Sequence, residues 1–464
     1  MKNILRSAVS IWFIFTLSVV SCKKDFLNKK PSTGIVQPVT LDDMVGIMDN
    51  GLFFFCSPSL SIASSDEYQY KDYNTYKALP DEVGRNTYIW ALDLYGSQSD
   101  MRDWSAPYEA IFYANSAIVG LEKIPLNQSN AELYKFTKGW AHFNRAYSFY
   151  ALASNFCKSY DSRTASSDLG LPLKISPDID VIMQRSTIKE TYEQILQDLS
   201  IASELLEGKR LPTEKKNRPS LTAVYAFQAR MYLNMREYGK AELAADNCLN
   251  LYPNLIDYNS VKLPSATPFL NTNDEVIYAG STVGSVVGII TTVRNVYSII
   301  DKSLLDLYEP DDLRFKTYFL SVSGGYVMNR SYNGAGTYSF SGLATDEIYL
   351  IKAECAARRG NFNESMTILN KLLTNRFPPS KFIPKQATNA KQALDIVLSE
   401  RRKELVWRGS RWEDLKRLNK EGANITLTRL VNGVTYSLLP NDPKYVFPIP
   451  SGEIGLSGIA QNLR

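Results

Sequence analysis

The segment Leu221 to Pro253, LTAVYAFQARMYLNMREYGKAELAADNCLNLYP, constrains the fold of this chain more than any other stretch. It reads as two helices joined at Tyr238-Gly239. Tyr225, Gln228, Ala229 and Tyr232 recur at helical spacing on the first helix, Ala241 and Ala245 on the second, and Pro253 closes the unit. Ala229 and Ala241 would let the helices approach closely, with Tyr232 and Leu243 filling the groove. Such a hairpin cannot bury its apolar face alone, so further hairpins are expected beside it.

The spacing follows the 34-residue tetratricopeptide unit, with its largest hydrophobes replaced. The first half of the pattern returns at Trp140-x2-Phe143-Asn144-x2-Tyr147. A helix over Ser186–Leu206 completes that hairpin after a loop from Ser159 to Arg185, and Ser186 with Glu190 in the first turn suggests a cap. Tyr349-x2-Lys352-Ala353-x2-Ala356, with Gly360, Phe362 and Leu369, makes a third unit closing near Pro378. Hairpins therefore cover about 131–206, 221–253 and 346–378. Other helices are expected over 41–50, 104–121, 387–408 and 412–418, and Tyr445–Pro450 forms an extended strap within the C-terminal part, 387–464. Between 254 and 343 glycine, serine and threonine rise and helical periodicity is lost, apart from a strand at Glu275–Ala279. The expected fold is mainly α: tetratricopeptide-like hairpins, a loop-rich lobe and few short strands.

With 464 residues, 44% of them hydrophobic, the chain can bury a sizeable core. A net charge of +4 makes no case for nucleic acid or for an anionic membrane surface. The one histidine, His142, sits in a helical run and reads as packed, which argues against histidine-rich metal sites and imidazole chemistry. No metal, cofactor or catalytic residue is expected. Cys157, Cys248 and Cys355 lie in apolar helical runs and read as small buried hydrophobes.

Lys2 and Arg6 precede an apolar run from Ala8 to Val20, followed by Val19-Val20-Ser21-Cys22. The run is too short to span a membrane and suits a signal peptide over 1–21. The stretch resembles a bacterial lipobox, in which the cysteine is acylated and becomes the first residue. Cys22 would then tether a body of residues 22–464 to a membrane by acyl chains.

Tyr68, Tyr70, Tyr73 and Tyr76 crowd together beside Asp66 and Glu67, with Trp90 downstream, and fit neither a helical stripe nor strict alternation. The loop Ser323–Phe340 mixes glycine with Tyr326, Arg330, Tyr332 and Asn333, and Arg294 lies just upstream. Flat rings beside acids and amides suit recognition of a sugar or a peptide. The other reading is that the tyrosines simply wrap the scaffold. The candidate ligand-binding residues are Asp66, Tyr70, Tyr73, Tyr76, Trp90, Arg294, Tyr326, Arg330, Tyr332 and Asn333.

Motifs spread along the chain resemble the SusD/RagB family of Bacteroidetes outer-membrane lipoproteins. They include Cys22-Lys23-Lys24-Asp25-Phe26-Leu27, Arg145-Ala146-Tyr147, Leu171-Pro172-Leu173, Ala229-Arg230-Met231-Tyr232-Leu233 and Tyr445–Pro450. The most specific is Glu400–Leu405 with Gly409–Arg417, ERRKEL and GSRWEDLKR. Trp407-Arg408 departs from the family's more usual aromatic and acid. The resemblance implies a SusD-like α superhelix: a cell-surface lipoprotein that captures an oligosaccharide or peptide as the lid of a SusC-like TonB-dependent transporter. It supplies no family-wide binding motif. An alternative is a tetratricopeptide-type scaffold that assembles envelope proteins. In the charged block, Glu404 with Arg408 and Glu413 with Arg417 are spaced i,i+4 and could pair, pinning the last helices to the core. Hydrolysis would need two carboxylates placed across a cleft, and the sequence selects no such pair.

Overall fold

In the computed structural model, which describes residues 38–284, 292, 294–329 and 332–464, the centre of the molecule is one long helix. Around it helices α1 (Leu41–Met48), α2 (Leu60–Ser64), α3 (Tyr73–Lys77), α4 (Glu82–Tyr88) and α5 (Arg102–Glu122) come first in the chain, with strand β1 (Tyr68–Tyr70) after α2. The central helix is α6 (Ala131–Phe156). Its residues from Gly139 to Phe156 are all buried, so it shows little amphipathic contrast. Alanines and Gly139 let its neighbours come close. A Cβ on Gly139 would lie 3.0 Å from Leu205 Cβ on the facing helix.

That facing helix is α7 (Ile188–Leu205), which follows the short antiparallel pair β2 (Leu169–Pro172) and β3 (Arg185–Thr187). Its cap is Thr187, one residue later than the spacing predicts. The Thr187 hydroxyl accepts from the Glu190 amide while the Glu190 carboxylate takes the Thr187 amide. The hairpin that dominates the sequence appears as α8 (Leu221–Met235) and α9 (Tyr238–Leu251). Its turn is Arg236-Glu237, with Arg236 left-handed at φ 64°, so Tyr238-Gly239 opens the second helix instead of linking the two. Ala229 and Ala241 are buried between the helices as expected. Leu243 does not fill the groove: it is 62% exposed, pointing away from the interface.

The lobe that follows has more strand than its composition predicts. β4 (Val276–Tyr278) pairs with β8 (Leu343–Ala344), and β5 (Ser298–Ile300) pairs with β1. Between them come α10 (Lys302–Leu305), α11 (Leu313–Tyr318) and an antiparallel hairpin of β6 (Phe319–Val322) and β7 (Gly325–Met328). Gly325–Met328, expected to be loop, is thus a strand. The third hairpin is α12 (Thr345–Arg358) with α13 (Phe362–Leu373), joined through Gly360 at φ 92°. Helices α14 (Ala390–Glu404) and α15 (Ser410–Lys420), the hairpin β9 (Leu427–Val431)–β10 (Val434–Leu438) and the short α16 (Ser451–Ser457) finish the chain. Helix α14 ends at Glu404, short of the predicted Arg408, because Trp407 and Gly409 both take positive φ.

Each hairpin packs on the next, α6 on α7, α8 on α9, α9 on α12, and α12 on both α13 and α14. Residues Leu41–Arg464 form one compact unit. The expected further hairpins are present, and the protein is mainly helical with few short strands.

Candidate ligand-binding surface

The two loop regions singled out in the sequence lie against each other. Tyr68, Gln69 and Tyr70 pair in register with Ile300, Ile299 and Ser298, and bridges join Ser57 to Thr282 and Ser281 to Phe340. Of the nine described candidates, Tyr70, Trp90, Tyr332 and Asn333 are buried, Asp66, Tyr76 and Tyr326 are half-buried, and Tyr73 and Arg294 are exposed.

Tyr70 packs edge-on against Tyr76 and Tyr88, with centroids 5.6 and 4.4 Å apart, and Tyr68 joins the cluster. Arg429, arriving from β9, occupies the space these rings enclose. Its guanidinium lies 3.8 Å from the Tyr88 centroid, 4.9 Å from Trp90 and 5.0 Å from Tyr68. Trp90 is buried, and its indole N–H donates to the Ser64 carbonyl at 3.0 Å. Asp66 receives Arg411 at 2.7 Å and Arg402 at 3.1 Å. Burial would raise its carboxyl, but the Arg411 charge and hydrogen bond outweigh that and hold it far below the usual range. Asp66, Tyr70 and Trp90 are therefore structural in this arrangement. Tyr73 is 42% exposed and stacks on half-buried Tyr76 at 6.3 Å, leaving this pair as the accessible part of the cluster.

The inserted lobe divides the same way. Tyr332 is 1% exposed, its hydroxyl donating to Glu275, and Arg408 lies 4.3 Å above its ring. Asn333 is buried and donates to Ser281 Oγ and to the Tyr338 carbonyl. Arg294 is engaged with Asn329 Oδ1, and Tyr326 is half-buried with its ring 5.0 Å from Phe315. Arg330 lies outside the described residues. Sequence reasoning missed Phe55 and Tyr338, an edge-to-face pair 6.3 Å apart at the junction. Phe55 is 42% exposed and Tyr338 half-buried. The Phe53-Phe54-Phe55 run was the available signal: in the tight turn over Gly51–Phe53 the first ring turns inward, and the third is left outside.

Two separate family models match this chain. One, described as starch-binding and associating with the outer membrane, covers residues 25–233; the other, of the SusD family, covers residues 326–463. The chain belongs to the SusD/RagB family. Solved structures agree on the fold. A SusD superfamily protein from Bacteroides thetaiotaomicron VPI-5482 aligns at TM-score 0.73 and 22% identity, over 92% of this chain and 100% of that one. A protein from Bacteroides vulgatus ATCC 8482 described as sugar binding aligns at 0.71 and 21%, over 93% and 99%. A SusD-like carbohydrate binding protein from the same strain aligns at 0.66 and 19%, over 90% and 96%. No curated protein matches.

In this SusD/RagB chain the charged block Glu400–Arg417 pins the last helices, but through distant partners. Glu404 meets Arg314 at 2.9 Å and Arg376 at 2.8 Å; Arg408 forks onto Asp346; Arg417 forks onto Glu354. Glu413 receives Tyr150 Oη at 2.8 Å and the Asn234 amide. The expected i,i+4 pairs do not form, because helix α14 stops at Glu404 and α15 begins only at Ser410, with Glu413 and Arg417 serving different neighbours. Glu275, Asp346 and Glu404 bring carboxylate oxygens within 4.8 Å of one another, all buried. Arg376 lies 2.7 Å from Glu275, and Arg408 lies 2.6 Å from Asp346, so guanidinium groups already supply the positive charge a cation would bring. Burial pushes Glu275 up to about 7 against the pull of Arg376. Burial also acts upward on Glu404, but Arg376 and Arg314 hold it at about 2. Among the described residues no helix is long and apolar enough to cross a membrane.

Proposed function

We propose that this SusD/RagB protein is a lipid-anchored, surface-exposed component of the outer membrane that binds an oligosaccharide and hands it to a SusC-like TonB-dependent transporter. Family membership over both ends of the chain carries this reading. The exposed ring pairs Phe55–Tyr338 and Tyr73–Tyr76 supply flat apolar faces of the kind that stack on sugar rings. Cys22 is the proposed acylation site. The reading is one of binding without chemistry: the buried carboxylates nearest the centre are held by arginines behind the surface, not placed across an open cleft.

A peptide-binding tetratricopeptide scaffold is less well supported. Helix α8, which would line such a groove, is buried on nearly every face by the protein's own neighbours. Titration with a panel of neutral oligosaccharides and of peptides decides between them. Binding of a glycan that weakens several-fold in Tyr338→Ala and Tyr73→Ala, with no shortened product after prolonged incubation, supports the proposal. Peptide binding that is indifferent to both substitutions overturns it. Cys22→Ala is expected to release the protein from outer membranes, and gentle solubilisation of wild type to bring a large β-barrel with it.

A further inference from the structure

A cavity lies away from the aromatic surface. A cleft of about 520 Å³ opens between the loop after α6, the end of α15 and the C-terminal strap. Its size falls within the range of small-molecule sites. Leu169, Tyr445, Val446 and Leu463 supply apolar wall, and Lys158 and Lys420 stand at its edge.

Lys416 is the unusual member of the lining. It is 8% exposed, and its Nζ donates to the Ser154 carbonyl at 2.7 Å and the Cys157 carbonyl at 2.9 Å. Two carbonyl dipoles do not neutralise an ammonium, and its third proton has no hydrogen-bond acceptor among the described residues. The contrast with Lys403, on the preceding helix, is direct. Lys403 is 1% exposed and meets Glu309 at 2.8 Å and Glu400 at 2.7 Å. Glu413 lines a second, small void that Lys416 also borders, but it lies beyond ion-pairing distance and is committed to Tyr150 and Asn234. Burial without a counter-ion lowers the Lys416 ammonium to about 8. At the edge the other charges are partly spent: Lys158 is paired with Asp168 at 2.6 Å and Asp442 lies 3.6 Å from Lys444. Lys420, exposed, has no ion-pair partner among the described residues.

A buried cation that lacks an anion, in the wall of an open and mostly apolar cleft, calls for an anionic ligand with an apolar body. We propose that this cleft binds a small carboxylate, with the carboxylate received by Lys416 and steered by Lys420, at a site distinct from the proposed glycan surface. An acidic monosaccharide such as a hexuronate has the size and the chemistry.

The test is calorimetric or ligand-observed NMR titration of the folded protein with glucuronate, benzoate and, as neutral control, glucose. At least one carboxylate should bind, at least about tenfold tighter than glucose, since only it can pair with the buried ammonium. Lys416→Gln should weaken that binding by about thirtyfold, and Lys420→Gln by about two- to threefold. Leu169→Trp, at a position 45% exposed on the cleft wall, should block binding without touching the buried lysine, which keeps the test valid if Lys416→Gln fails to fold. Tyr73→Ala and Tyr338→Ala should leave carboxylate binding unchanged, so failure of this proposal and failure of the glycan surface are read separately. The proposal is overturned if glucose and the carboxylates bind alike, if neither carboxylate binds at millimolar concentration, or if Leu169→Trp leaves binding intact.

Discussion

Arg376 and Arg429 are both buried, 0% and 6% exposed, and they differ in whether a carboxylate meets them. Arg376 sits in the helical half, bonded to Glu275 and Glu404, with Arg314 and Arg408 holding the remaining carboxylates. Arg429 sits under the loop half, enclosed by Tyr68, Tyr88 and Trp90, and donates only to the Ser64 and Ser65 carbonyls. It makes no ion pair among the described residues. Carboxylates balance the first arginine, which also lies 4.0 Å from the Tyr258 centroid and donates to the Ile256 carbonyl; ring quadrupoles and backbone dipoles balance the second without a carboxylate. The first arrangement depends on protonation state, and the second does not over the range where carboxylates titrate.

Removing Arg376 should hurt most. Arg376→Met removes the ion pair of buried Glu275 and leaves Glu404 with Arg314 alone, and urea unfolding should show a loss of about 3–5 kcal/mol. A loss no larger than that of Arg429→Met would erase the distinction between the two regions.

The next effect is in pH. Glu275 and Glu67 are both pushed up to about 7, chiefly by burial. They bind protons more tightly folded than unfolded, so stability falls as pH rises from their ordinary value near 4.5 through 7. Glu404 and Glu309 are held at about 2 despite burial, Glu404 by Arg376 and Arg314 and Glu309 by Lys385 and Lys403. Their contribution is complete above about 4.5 and is lost as pH falls toward 2. Unfolding followed from pH 3 to 8 should therefore give maximal stability near pH 5, declining by about 4 kcal/mol toward pH 7. A monotonic rise to pH 8 would contradict it.

Arg429→Met should cost about 1–2 kcal/mol, from lost cation–π contacts and the Ser65 carbonyl left without its donor, and the loss should be the same at pH 5 and pH 7. Tyr73→Ala, at a 42% exposed ring, should change stability by less than about 0.5 kcal/mol while weakening glycan binding. Altered stability with intact binding would place Tyr73 with its buried neighbours.

The helical half was legible because its information is periodic and local. Small residues at Ala229 and Ala241, and the repeat of the Trp140–Tyr147 spacing, state which faces meet before any partner is known. The loop half was not. Nothing near Tyr68, Tyr70 or Trp90 signals that Arg429 will arrive from β9 and take the space a ligand could have filled. Likewise Asp66 looks free until Arg402 and Arg411 are placed beside it. Aromatic residues in a loop carry the same signature whether they face solvent or a distant cation, so sequence could nominate the region but not choose among its rings. The pairings of Glu404, Arg408, Glu413 and Arg417 were missed for a similar reason. Helical spacing offers i,i+4 partners, while the real ones come from Arg314, Asp346, Asn234 and Glu354.

The strap adds a constraint on timing. Phe447 N–H donates to the Asn155 carbonyl, Asn462 donates to the Phe156 and Phe447 carbonyls, and the Pro448 carbonyl receives the Tyr95 hydroxyl. Arg464 reaches the Ala91 carbonyl. The end of the central helix α6 is therefore finished by residues some three hundred positions later in the chain. A chain emerging from its N-terminus cannot complete its core until the last segment is free, and contacts of such span make folding slow. While those last residues are still unmade, the end of α6 lacks the partners that finish it.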